Sequence, residues 1–242
     1  DMSTMCRSQT VMENKRIKYQ REDKFLAEPH AVLPKSEYNK FSIEPIKEWE
    51  EEGIRPEEIN LFEIRVDNKS NRIVYPVYDI YGNLINIKGR TRLENYKEMG
   101  VAKYMNYYPV GEVDYFQGLN ITKDYIKQSG EIKIFEGIKS VMKLFGHGIK
   151  DAVSAEKHNL SKKQIEIIIQ SGIKNVVLCY DSDVTYREDS IKENINILKR
   201  FVNLYIIFDP KNLLGGKPAK NSPIDLGIDI WQELYKNRTR IR

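Results

Sequence analysis

The chain has 242 residues, 40% hydrophobic and 31% charged, with 39 Lys and Arg against 35 Asp and Glu for a net charge of +4. That length carries one large domain or two small ones sharing a continuous core. No apolar run approaches the roughly 18 residues of a membrane helix and no signal-peptide pattern opens the chain, so no membrane partner is expected and the cytoplasm is the expected compartment. Cys6 and Cys179 stand far apart, and the closely spaced soft ligands of a structural zinc are lacking, so no zinc site is expected. Cys179 lies in an apolar run and reads as an inert buried thiol. His30, His147 and His158 share no ligand spacing.

Residues 1–40 are polar and carry Pro29 and Pro34; they read as a linker or flexible N-terminal segment. Residues 41–128 are expected to form a β-rich subdomain with a basic face, although the segment as a whole counts 12 Lys and Arg against 15 Asp and Glu. Pro45 to Glu52 predicts a short helix closed by Gly53. Phe62 to Val66 alternates as a strand, the chain turns through Asp67 to Asn71, and Arg72 to Tyr78 returns. Tyr81-Gly82-Asn83 turns again into a third strand from Leu84 to Lys88, and Gly111 to Gly118 reads as a loop. The stretch from Lys88 to Lys103 is net basic, with Lys88, Arg90, Arg92, Lys97 and Lys103 against Glu94 and Glu98 and Tyr96 among them, as suits a polyanionic partner.

From residue 129 to 242 strands alternate with helices. Ile132–Phe135, Ala152–Ser154, Val176–Tyr180 and Leu204–Phe208 read as strands, with helices over Ile138–Phe145 and Arg187–Arg200. Ser161 and Gln164 form a capping box that opens a further helix, with Ile165, Ile168 and Ile169 on one face. This rhythm predicts an α/β domain with a parallel sheet flanked by helices, preceded by the smaller α+β basic subdomain.

Ligands bind beyond the carboxyl ends of parallel strands, and acids stand at those ends: Glu136, Asp181, Asp183, Asp209 and Asp225. Across about 4 Å at an effective dielectric near 20, each like pair of charges costs roughly 4 kcal/mol. A hard divalent cation turns that repulsion into coordination. Taken singly, each acid is as readily a helix or turn cap; strand–Glu–Gly–helix followed by strand–Asp–x–Asp–helix is the specific signal.

That ordered combination, from Glu131 to Gly227, resembles the Toprim fold of bacterial-type primases, type IA and II topoisomerases and several nucleases. The segment Arg72 to Arg90 is similar to the part that precedes Toprim in DnaG-type DNA primases, especially their phage-like members. Lys103-Tyr104-Met105-Asn106 resembles that family's Lys-Tyr-Leu-Asn signature. The resemblance implies a nucleotidyltransferase that builds RNA primers from ribonucleoside triphosphates on single-stranded DNA in a bacterial or phage-infected cytoplasm, with a replicative helicase as a further partner. It implies Mg²⁺ or Mn²⁺ held by Glu136, Asp181 and Asp183, with Asp225 as an added ligand, and Arg90, Lys103, Tyr104 and Asn106 lining a nucleic-acid or nucleotide groove. The chain departs from the family at Ser140, where an Asp is usual, and at Ser222-Pro223-Ile224-Asp225, where Asp-Pro-Asp is usual. Two rival readings follow: a Toprim nuclease with the same acids, and a non-catalytic single-stranded-DNA-binding module with a vestigial site.

Overall fold

A computed structural model describes residues 30–109 and 111–242; Cys6 and most of the expected 1–40 linker lie outside the described residues. Residues 30–40 are not a free linker. The Leu33 N–H donates to the Leu84 carbonyl at 2.8 Å, helix α1 spans Lys35–Asn39, and Tyr38 is buried. His30 lies 2.6 Å from the Asp114 carboxylate and ties this stretch down.

Two short helices follow, α2 (Lys47–Glu50) and α3 (Pro56–Leu61). The second, which ends just before the expected Phe62–Val66 strand, forms because Pro56 with Glu57 and Glu58 is a helix start, and the strand itself begins only at Arg65. A four-stranded antiparallel sheet comes next, in the order β1 (Arg65–Asp67), β2 (Arg72–Tyr78), β3 (Leu84–Thr91) and β4 (Tyr104–Asn106). Proline lacks the N–H that a central strand needs. Pro76 is tolerated in β2 because β1 pairs only with residues 72–74, leaving that side of Pro76 open.

Helix α4 (Leu119–Ser129) leads into the second sheet. Its strands are β5 (Glu131–Phe135), β6 (Ala152–Ser154), β7 (Asn175–Leu178), β8 (Asn203–Ile206) and β9 (Thr239–Ile241). The helices on this side are α5 (Ile138–Gly146), α6 (Lys162–Gln170), α7 (Asp189–Leu198), α8 (Gly216–Ala219) and α9 (Ile228–Lys236). The sheet order is β6-β5-β7-β8-β9. The first four strands are parallel, and β9 runs antiparallel to β8, so the sheet is mixed rather than wholly parallel. Tyr205 and Ile206 of β8 are partly buried, and Leu204 is fully buried.

The chain steps outward from β5 to β6, then crosses back to β7 on the other flank of β5. That reversal opens a crevice at the carboxyl ends of β5 and β7, where ligands collect in such sheets. One apolar core joins the two sheets: Trp49, Phe62, Ile73 and Tyr75 pack with Phe135, Val141, Leu144 and Trp231. An isolated bridge between Gln117 and Ser154 adds a direct link, and the Gln117 amide donates to the Pro76 carbonyl at 2.6 Å. Lys133 is buried in β5 between Glu131 at 2.7 Å and Asp151 at 2.8 Å. Burial pushes the Cys179 thiol pKa far up, as suits an inert core cysteine.

Candidate active site

Glu136 stands one residue past β5, and Gly137 then caps α5 without a side chain. The Ser154 hydroxyl donates to the Glu136 carbonyl at 2.7 Å and fixes this turn against β6. The Glu136 carboxylate reaches across the crevice and accepts the Asp181 backbone N–H at 3.1 Å. Asp181 follows the buried Cys179 and Tyr180 at the end of β7, so both acids belong to the strand reversal.

A cavity of about 340 Å³ lies there, with Glu136, Asp181 and Asp225 on one side and Lys88, Arg90, Lys103 and Tyr104 on the other. Asp183 and Asn106 are outside its lining. Asp183 turns to Lys220, 3.0 Å away, while Asn106 is exposed on β4 opposite Lys88. Asp225 is held by Lys143 at 2.7 Å and accepts the Ser222 N–H at 2.9 Å. Asp209 is not a site residue: it caps its own turn, accepting the Leu213 and Leu214 N–H groups at 2.9 and 2.8 Å.

Burial, and then the negative charges of Glu136, Asp225 and Asp183, push the Asp181 carboxyl up from 3.8 to about 7; Lys103 opposes them. Lys139, on α5 just past Glu136, has the reverse problem. Burial and the positive charge of Arg90 push Lys139 down, against the pull of its partner Glu52. A crevice with crowded carboxylates facing crowded cations suits a ligand that carries both a metal ion and phosphates.

Among the described residues, no group of three or more His, Cys, Asp or Glu stands close enough to hold a metal ion as it is. The donor set nonetheless fits a hard divalent cation. Its atoms are carboxylate oxygens, and the repulsion around Asp181 is only partly relieved.

Glu156 and His158 are site residues that carried no sequence signal. Glu156, at the end of β6, holds Lys88 at 2.8 Å and accepts the Tyr115 hydroxyl at 2.8 Å. Its φ of 67° lies in the left-handed region that favours glycine. Lys88 also sits 5.3 Å from the Tyr104 ring centroid, with Lys103 at 5.6 Å, so that 44% exposed ring carries two ammonium groups. His158 lies 3.4 Å from both Glu136 and Glu188. A larger groove, about 1070 Å³, runs along the amino ends of β5 and β7 past Gly130 and Asn175, remote from these acids.

No family model matches the chain. It is 28% identical over 153 residues to a DNA primase of Staphylococcus epidermidis, covering 61% of this chain and 24% of that one. It is 27% identical over 223 residues to the SPbeta prophage-derived protein YorJ of Bacillus subtilis, covering 81% of this chain and 58% of the relative. The chain thus spans about a quarter of the length of the former and just over half of the latter. Its fold is similar to the Aquifex aeolicus primase, zinc-binding and RNA polymerase domains, with a TM-score of 0.62 and 20% identity over 81% of this chain and 56% of that one. It is also similar to the DnaG primase catalytic domain bound to single-stranded DNA, with a TM-score of 0.56 and 16% identity over 99% and 81% of the two chains. The architecture is that of the primase catalytic core, and the sequence similarity runs to bacterial and prophage relatives.

Proposed function

We propose that this relative of the DnaG-type primases is a primase catalytic core, a nucleotidyltransferase joining ribonucleoside triphosphates into short RNA primers on single-stranded DNA during replication. The observation that carries the reading is the meeting of Glu136 and Asp181 across the β5–β7 crevice, opposite Arg90, Lys103 and Tyr104. The β-rich part through β4, basic only in its Lys88, Arg90 and Lys103 patch, and the part from β5 onward then act as an N-terminal subdomain and a Toprim catalytic subdomain that meet at the cavity.

Glu136, Asp181 and Asp183 would hold Mg²⁺ or Mn²⁺, with Asp225 as a further oxygen donor. A divalent ion there supplies charge neutralisation for the triphosphate and activation of the primer 3′-hydroxyl. Arg90 and Lys103 bind phosphate oxygens, and Tyr104 offers a flat face on which a base stacks. Asn106, exposed on the same edge strand, contacts the template rather than the reacting nucleotide. The low-dielectric floor of Tyr75 and Trp49 limits water around the acids and strengthens every charge interaction above it. A replicative helicase fits as the partner that delivers unwound template, in the cytoplasm of a bacterium or phage-infected host.

The test is incorporation of labelled ribonucleotides on circular single-stranded DNA with Mg²⁺ or Mn²⁺. Template-dependent RNA that disappears in Asp181→Asn supports the proposal. Loss of labelled DNA or RNA without incorporation assigns the same acids to a nuclease. Template binding with neither reaction leaves a binding module.

A further inference from the structure

Asp183 is the candidate ligand that the cavity leaves out, and a cation of the chain itself already holds it. Lys220 Nζ lies 3.0 Å from the Asp183 carboxylate, and Lys220 also lines the cavity beside Glu136, Asp181 and Asp225. The backbone around this lysine is fastened to the residue between the two aspartates. The Ser182 N–H donates to the Asn221 carbonyl at 2.9 Å, and the Asn221 N–H donates to the Ser182 hydroxyl at 3.1 Å. The Ser182 hydroxyl itself donates to the Gly216 carbonyl at 2.9 Å. Lys220 therefore keeps a fixed anchor near the acids, yet its side chain is 71% exposed and free to swing on its stem. Its backbone φ of 53° is unusual for lysine, so the chain bends sharply at this position.

We propose that Lys220 is a built-in counter-cation: it occupies Asp183 in the metal-free protein, yields that carboxylate to a divalent ion, and turns its freed ammonium to the phosphates of an incoming nucleoside triphosphate. The proposal rests on the metal-dependent reading of these acids. Exposed ion pairs are held loosely, so a divalent ion shared with Asp181 displaces the amine readily. Lys143 on Asp225 is a different case: it is buried at 9% side-chain exposure and does not swing in the same way.

The test compares the full chain with Lys220→Met and Lys220→Arg. Saturable Mn²⁺ binding is read by electron paramagnetic resonance without nucleotide, and a fluorescent ribonucleoside triphosphate is then titrated with Mn²⁺ present. Lys220→Met is expected to bind Mn²⁺ about two- to five-fold more tightly, the range of an exposed ion pair. It is expected to bind the triphosphate several-fold more weakly, with Lys220→Arg near the parent in both. A lysine that only braced the loop would weaken both ligands together when removed. Unchanged or weaker Mn²⁺ binding in Lys220→Met overturns the proposal, as does tighter Mn²⁺ binding with undiminished triphosphate affinity. If the parent binds no Mn²⁺ at saturable sites and Asp181→Asn behaves identically, the metal-dependent reading itself fails and takes this inference with it.

Discussion

Replacing Asp181 by Asn is expected to stabilise the metal-free protein above neutral pH, the reverse of the usual result of altering a structural aspartate. The Asp181 carboxyl is raised from 3.8 to about 7 by burial and by Glu136, Asp225 and Asp183. A raised acid contributes stability that is fully present below its unfolded value and is lost as pH climbs through its folded value. The deficit therefore builds between about pH 4 and about pH 7 and stays constant above. At about 1.4 kcal/mol for each pH unit, the full shift amounts to about 4 kcal/mol. The side chain is only half-buried at the cleft mouth, so solvent screening reduces this to about 2 kcal/mol. For a chain of this size that is roughly 4–8 °C in melting temperature. The assay is thermal or urea unfolding of parent and Asp181→Asn in EDTA from pH 4.5 to 8. The two curves should lie close at the acid end and separate progressively up to pH 7, with the variant higher. Saturating Mn²⁺ should then raise the parent and leave the variant where it was. A variant that is less stable than the parent at pH 8 in EDTA would refute the picture of uncompensated carboxylates at the β5–β7 crevice.

Arg90→Ala and Lys103→Ala should each weaken single-stranded-DNA binding without sequence preference. Each should also lower the slope of log affinity against log salt by about 0.7, as measured by fluorescence anisotropy. Lys133→Met strands the buried carboxylates of Glu131 and Asp151 and should cost about 3–5 kcal/mol in urea unfolding. Gly118→Ala places a methyl 3.3 Å from Phe62 and 3.4 Å from Ile138 at a φ of 87°. That change should destabilise by about 1–3 kcal/mol, read as a lower unfolding midpoint with an unchanged denaturant slope.

The elements legible in the sequence were those whose signal is local. The apolar runs of β5 and β7 are buried on both faces, and the Ser161–Gln164 capping box forms as its spacing implies. Helix α3 was missed although its start was written in Pro56-Glu57-Glu58, because the alternation that follows outweighed it. Helix α4 buries only Thr122 and Ile126 and so shows little apolar periodicity. Strand β9 exists through pairing with β8 and has no pattern of its own. In the candidate site, Glu136 and Asp181 were readable because each stands just past one of two strands that the fold sets side by side. Glu156 and His158 reach the crevice only through tertiary contact, and no residue spacing announces that, whereas Lys88 opens a basic stretch and Lys220 closes a lysine-rich, Gly215-Gly216 loop suited to phosphate. Asp209 shows the converse: the right position after a strand, but a carboxylate consumed by its own turn.

Because Trp49, Phe62, Ile73, Phe135 and Trp231 share one core, the slot between the two sheets has its width set when the chain folds. No greasy seam between the halves is free to slide, so any ligand of the crevice enters a gap already cut to size. The same continuity means that severing the chain between α4 and β5 would strip the covering from both pieces. Two sticky fragments, not two working modules, would result.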